Sequence, residues 1–182
     1  PCPTRCSFDV IMQVFIDGLK GLEFRGYDSA GIAIDGDGQF YDHEGVTDIA
    51  VIKKRGKVAE LVKEAFVQSL DLDKSLSEHL GIAHTRWATH GEPNEVNSHP
   101  QSSDPNNEFV VIHNGIITNC KEIKQFLIAK GFVFVSETDT EAIVKLVKYL
   151  FDEEVKKNDG QIPDFRSLVE EAMLQLEGAF AL

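Results

Sequence analysis

GIAHTRWATHG, residues 81–91, runs a short apolar segment straight into a polar cluster. Gly81–Ala83 reads as the body of a strand. Within the next eight positions stand His84, Thr85, Arg86, Thr89, His90 and the chain's single tryptophan, Trp87. Taken singly, Arg86 reads as a surface ion pair and Trp87 as a core aromatic. Side by side at a strand end they describe something else. A guanidinium fork grips a carboxylate through two parallel hydrogen bonds, and threonine, histidine and indole beside it can complete a small polar pocket for an amino acid.

Outward from that stretch the chain alternates helical and extended patterns without a strict order, which predicts a layered mixed α and β architecture rather than a doubly wound parallel sheet. Residues 10–22 place Ile11, Phe15, Leu19 and Leu22 at helical spacing, with Gly18 read as a close-packing position. Residues 29–34 (SAGIAI) and 51–54 read as strands, with the turn-rich GDGQFYDHEG at 36–45 as a hairpin excursion between them. Gly56 and Lys57 open a second helix through Phe66. EFVVIHNGII, 108–117, reads as a buried strand ending at Asn114-Gly115. Asn119 with Glu122 is an N-cap signature for a helix that closes at Gly131, and FVFV, 132–135, is expected to follow as a strand. Thr138 with Glu141 forms a capping-box pattern for a long helix striped by Ile143, Leu146, Val147 and Leu150. Phe165 to Leu176 is a further amphipathic helix, and GAFAL starts a strand.

Composition narrows the function classes. With 182 residues, 42% of them hydrophobic and 26% charged, the chain has the material for one domain with a real core. A formal net charge of -12 disfavours a nucleic-acid partner, which calls for clustered lysine and arginine. No apolar run is long enough for a membrane span. Cys2, Cys6 and Cys120 form neither a disulfide framework nor a zinc pair, which fits a reducing, cytoplasmic setting. His84, His90, His99 and His113 match no paired metal-ligand motif, so no metal and no cofactor is expected.

Asn114-Gly115 has an ordinary reading as turn chemistry and a functional one as an oxyanion hole, an amide side chain and a glycine N–H aimed at developing negative charge. Asp139, in the first turn of the long helix, is ordinarily a favourable partner for the helix dipole, yet it could also hold an ammonium group. Arg86 and Asp139 together would grip both ends of a zwitterion.

Four segments, LEFRGYDSAG (22–31), GIAHTRWATHGEPNEVNSHP (81–100), VIHNGIITN (111–119) and SETDTEAI (136–143), closely resemble in this order the glutaminase domain of the glutamine:fructose-6-phosphate aminotransferase family, eukaryotic type, among the class II glutamine amidotransferases. The resemblance runs from about Ile11 to the C-terminus. It implies an α+β fold, the four-layer αββα sandwich of the N-terminal-nucleophile hydrolases. It also implies a reaction: an N-terminal cysteine attacks the carboxamide of L-glutamine, its own α-amine serves as base, and ammonia passes to sugar isomerase domains that bind fructose 6-phosphate and make glucosamine 6-phosphate. Carried over by motif, Arg86 binds the α-carboxylate, with Thr89 and His90 shaping the pocket around it. Trp87 gates ammonia from solvent, Asn114 and Gly115 form the oxyanion hole, and Asp139 holds the α-ammonium. Arg25 helps position the catalytic terminus, with His99 in support. A homo-oligomer is implied for the full-length enzyme.

The family's opening Cys-Gly-Ile-Phe strand has no counterpart here. PCPTRCSF, residues 1–8, sets Cys2 between prolines, where a central strand cannot form. Residues 1–182 are therefore expected to be a partial amidotransferase domain, lacking the first strand, the C-terminal strands and the sugar isomerase domains. By themselves they are expected not to hydrolyse glutamine. The competing expectation is a catalytically inactive glutamine-binding or regulatory module.

Overall fold

The computed structural model describes residues 6–35, 49–67, 75–76, 80–87 and 91–182. The hairpin excursion expected at 36–45 lies outside them. In chain order the elements are β1 (Cys6–Ser7), α1 (Phe8–Leu22), a single 3-10 turn (Glu23–Arg25), β2 (Ser29–Asp35), β3 (Ile49–Arg55), α2 (Val58–Val67), β4 (Ser75–Leu76), β5 (Gly81–Arg86), β6 (Gln101–Ser102), β7 (Val110–Val111), β8 (Asn114–Ile117), α3 (Cys120–Ala129), α4 (Asp139–Lys157), α5 (Phe165–Leu174) and β9 (Gly178–Ala181).

Two helix-on-sheet units make up the described molecule. In the first, β2 is the central strand of an antiparallel sheet ordered β3-β2-β5, with Ser29 opposite both Arg55 and Arg86. The sequence SAGIAI is apolar without alternation because β2 is covered on both faces and its residues 29–34 are all buried. Helices α1 and α2 lie on the sheet through Ile11, Met12, Ile16, Leu19, Val58, Leu61 and Ala65, which close one core with Ile32, Ile34 and Ile52. Gly18 does not take part in that packing. It faces solvent with no neighbour within 4 Å of the place a side chain would occupy, because the apolar stripe of α1 passes through Ile16 and Leu19 instead.

Gly31, in β2, is the close-packing glycine. A Cβ at this position would strike the carbonyl oxygen of His99, so glycine is what allows the 98–100 segment to lie across the sheet.

In the second unit α3, α4 and α5 pack with the β8-β9 pair around Ile117, Leu127, Ile143, Leu146, Leu150, Leu168 and Leu176. Burying a leucine such as Leu127, fully inaccessible, contributes about 2 kcal/mol. The two units come together where His84 of β5 lies 3.0 Å from Asn114 of β8.

Four local expectations are corrected by tertiary structure. Residues 108–117 are not one buried strand: β7 ends at Val111, and β8 starts at Asn114 and pairs with β9 instead of continuing β7's pairing with β6. Residues 132–135 are extended but join no strand. Phe132 and Phe134 pack on the second core while Val133 and Val135 remain exposed. Glu141 does not close a capping box with Thr138; its carboxylate accepts from the N–H groups of Val135 and Ser136, at 2.9 and 2.6 Å, and pairs with the Lys145 ammonium, which donates to the Ser103 carbonyl. Those hydrogen bonds and that ion pair give a carboxylate only 1% exposed the partners its burial requires.

Asn119 stands at the N-cap position of α3 but makes no cap bond with its side chain. Its Nδ2 donates to the Gln175 carbonyl at 2.9 Å and its Oδ1 accepts from the Glu177 N–H at 3.0 Å, clamping the approach to β9. Asn119→Ala is expected to lower stability by about 1 kcal/mol, read as a shift of the urea midpoint with unchanged slope. A midpoint equal to the wild type would mean the clamp contributes nothing.

Candidate functional site

The cleft of about 900 Å³ between the two units is lined by the end of β5, the start of β8 and the first turn of α4. Its contributors include Arg25, His84, Arg86, Trp87, His99, His113, Asn114, Gly115, Asp139 and Thr140.

Arg86 is the last residue of β5 and is only 5% exposed. Its carbonyl accepts from the Asp28 N–H at 3.2 Å, which fixes the strand end against the turn that follows Arg25. Burial lowers its pKa, and the negative charges of Asp28 and then Asp139 oppose that shift. The guanidinium stays charged at neutral pH in any case. Asp139 opens α4, where the helix dipole favours a carboxylate. Its Oδ2 accepts from the Ile117 N–H of β8 at 3.0 Å and its Oδ1 lies 3.6 Å from His113 Nδ1. A cation and a carboxylate thus border one cleft, each held by backbone.

Asn114 and Gly115 begin β8 and are exposed to this space. Gly115 has φ +128°, and a Cβ there would collide with Ala179 on β9. Only glycine fits. Asn114 Oδ1 lies 3.0 Å from His84 Nε2.

Three of the lining residues are neighbouring histidines, with ring centroids 4.7 Å apart for His84 and His99 and 6.5 Å for His99 and His113. The Thr140 hydroxyl joins two of them, 2.9 Å from His99 Nε2 and 3.1 Å from His113 Nδ1. Burial pushes His99 down to about 3, helped by the neighbouring His84 and Arg86. His84 is lowered as well, mainly by burial, against the opposing hydrogen bond to Asn114. A histidine held neutral in the folded state takes up a proton only on unfolding. The unfolded chain therefore binds more protons from about pH 6.5 down to about 3, and stability falls as pH falls through that window. His99→Gln is expected to flatten the slope of unfolding free energy against pH by up to one proton. Parallel slopes in urea titrations of the two proteins would show that His99 titrates freely in the folded state.

Of the residues singled out from sequence, the structure brings Arg25, Arg86, Trp87, His99, Asn114, Gly115 and Asp139 to one cleft. Thr89 and His90 lie outside the described residues. Trp87 is not a core aromatic: it is 60% exposed, tilted against Tyr27 at 5.9 Å, where the chain leaves the sheet after Arg86. Arg25 is likewise exposed at the rim. Sequence reasoning did not assign His84, His113 and Thr140. Two had a visible signal, since His84 stands two residues before Arg86 and therefore on the same strand face, and His113 immediately precedes Asn114. Cys120 is partly buried on the second core, and burial raises its thiol pKa, as for an inert packed cysteine. Among the described residues no group of three or more histidine, cysteine, aspartate or glutamate side chains is arranged to hold a metal ion, and no helix is long and apolar enough to cross a membrane.

Comparison with known proteins places this geometry. Residues 84–182 match the model of the glutamine amidotransferase domain. Over 173 residues, 94% of the chain, it is 56% identical to glutamine–fructose-6-phosphate aminotransferase [isomerizing] 1 of Rattus norvegicus, of which the alignment covers 25%. Over 172 residues it is 48% identical to the corresponding aminotransferase of Saccharomyces cerevisiae, covering 94% of the chain and 23% of the relative. The chain thus spans about a quarter of the length of the curated relatives it matches. Among solved structures, the B. subtilis glutamine phosphoribosylpyrophosphate amidotransferase complexed with ADP and GMP superposes with a TM-score of 0.61 at 26% identity, covering 92% of this chain and 31% of that one. A structure described as the allosteric regulatory enzyme of purine biosynthesis gives 0.67 at 25% identity, covering 97% and 33%. The fold is α+β and related to the N-terminal-nucleophile hydrolases.

Proposed function

The chain belongs to the glutamine amidotransferase domain family, and from that premise we propose that its cleft binds L-glutamine and serves the glutaminase half of glucosamine 6-phosphate synthesis. The observation that carries this reading is that Arg86, Asp139 and Asn114-Gly115 line one cleft. Arg86 receives the α-carboxylate, Asp139 the α-ammonium, and the carboxamide is left beside Asn114. A thiolate attacking that carbon turns its oxygen into an oxyanion. Hydrogen bonds from the Asn114 amide and the Gly115 N–H stabilise it most when its charge is fully developed, which lowers the barrier rather than merely tightening binding. Ammonia leaves as the carbonyl re-forms, and water then releases glutamate from the thioester. Trp87 at the mouth shields the departing ammonia, and Thr89 and His90 shape the pocket around the α-carboxylate. Arg25 at the rim orients the attacking terminus, and His99 supports the floor.

The likeness to the aminotransferases supports fructose 6-phosphate as the acceptor; sugar isomerase domains as partners, a homo-oligomeric enzyme and a cytoplasmic setting are proposed with it. Residues 1–182 are read as part of one amidotransferase domain. The described residues lining the cleft include no thiol, so these 182 residues by themselves are proposed to bind glutamine without hydrolysing it. The same observation favours, as a second reading, an inactive glutamine-binding module.

Calorimetric titration of the 182-residue chain with L-glutamine, paired with an assay for released glutamate, tests both statements. Saturable binding without turnover is expected. Absence of binding at millimolar glutamine overturns the site, and turnover abolished by replacing Cys2 or Cys6 overturns the claim of inactivity.

A further inference from the structure

The hydrogen bond behind Asn114 decides what the cleft is offered. An asparagine amide is nearly symmetric in shape, so it can present either its NH₂ or its carbonyl oxygen in a given direction, and only its partners choose between them. Here His84 Nε2 lies 3.0 Å from Asn114 Oδ1. The backbone under His84 is fixed, because β5 is paired with β2 and His84 sits opposite Gly31. The His99 ring closes the other side, with centroids 4.7 Å apart.

We infer that His84 is a positioning residue: its Nε2–H, donated to Asn114 Oδ1, orients the Asn114 amide so that Nδ2, not the carbonyl oxygen, is presented to the cleft.

The other states of the ring are excluded one by one. Among the described residues His84 Nδ1 is buried and has no hydrogen-bond partner. A proton on Nδ1 would be a buried donor without an acceptor, the less tolerated kind of unsatisfied group, whereas a bare lone pair there is tolerated better. A doubly protonated ring would carry the same orphan donor plus a charge next to Arg86, in a place where burial already disfavours charge. The neutral Nε2–H form remains. That form needs an acceptor, and Oδ1 is the acceptor within reach. Histidine at position 84 is thus a lock on a neighbour's amide, read through a single nitrogen.

The inference about the amide stands on geometry alone; its consequence for catalysis rests on the proposed glutaminase reading. If Asn114 turned over, its carbonyl oxygen would face the oxyanion and oppose the charge it is meant to stabilise.

The test uses the 182-residue chain labelled with ¹⁵N. Long-range proton–nitrogen spectra of the imidazole rings are expected to show His84 with its proton on Nε2 and a bare Nδ1 across neutral pH. Strong cross-relaxation between the His84 ring protons and the Asn114 Nδ2 protons, or a proton on Nδ1, overturns the inference. This wild-type measurement needs no variant that could fail to fold. In glutamine turnover by the amidotransferase, His84→Leu is expected to lower kcat roughly 100-fold, the scale of losing one oxyanion donor, with KM shifted less than about threefold. His84→Gln, which can still donate to Oδ1, is expected to recover most of the rate; equal losses in both variants overturn the positioning role. If glutamine does not bind the wild type while the Nε2–H signature is present, the glutaminase reading falls and the amide lock survives.

Discussion

Replacing Arg86 with alanine is expected to weaken L-glutamine binding by roughly 100-fold or more, as read by calorimetry on the folded chain. The size follows from burial and charge. Arg86 is 5% exposed at the end of a strand whose register is fixed on the β2 side from Ser29 to Ile34, so the fork is held in place before substrate arrives. Each hydrogen bond to an ionised partner is worth about 1.5–3 kcal/mol, and a bidentate carboxylate contact supplies two that are not fully additive. About 3 kcal/mol corresponds to more than two decades in affinity. Arg86→Lys separates charge from geometry: it keeps the cation and loses the planar fork, and an affinity between wild type and alanine is expected. Binding by Arg86→Ala within a few-fold of wild type would put the carboxylate elsewhere in the cleft.

Gly31→Ala is expected to cost about 3 kcal/mol of unfolding free energy, at the upper end of what one added methyl group usually does. The added Cβ meets the His99 carbonyl, a backbone atom that cannot rotate away. Nor can β2 move, because it is hydrogen-bonded to β3 on one side and β5 on the other. The 98–100 segment must shift instead, carrying His99 away from Thr140. Urea unfolding reads the effect, and Gly18→Ala is the matched comparison: the exposed helical site has room for a methyl group, so a gain of about 0.5–1 kcal/mol is expected. Similar midpoints for the two variants would sink the steric account of Gly31.

Gly18 and Gly31 also mark what the sequence could and could not disclose. The helical stripe of α1 was readable because burial imposes a period, but which glycine meets a neighbour depends on a segment nearly seventy positions away. Arg86, Asn114 and Asp139 were legible because each sits at an element boundary with its own local signature, a strand running into polar residues, an Asn-Gly pair, or a helix start. The strand expected at 132–135 and the capping box at Thr138 were local readings that tertiary partners overrode. Phe132 and Phe134 alternate inward as a strand would, yet among the described residues the segment pairs with no strand. Glu141 had a nearer use in the orphan N–H groups of Val135 and Ser136. Asn119 shows the same competition, with its amide spent on Gln175 and Glu177 instead of its own helix. The place of His84 on the Arg86 face of the strand was legible, but its part in the site depends on meeting Asn114, thirty positions later.

The cleft lies on the seam between two separately packed cores. Arg86 is carried by the sheet of the first, and Asp139 by a helix of the second. A zwitterion that engages both is a removable crosslink: its two charged ends are tied to different halves of the protein, so the affinity is also a measure of how firmly the halves are held together. On the proposed reading, bound glutamine lends the molecule cohesion, and its release removes that crosslink.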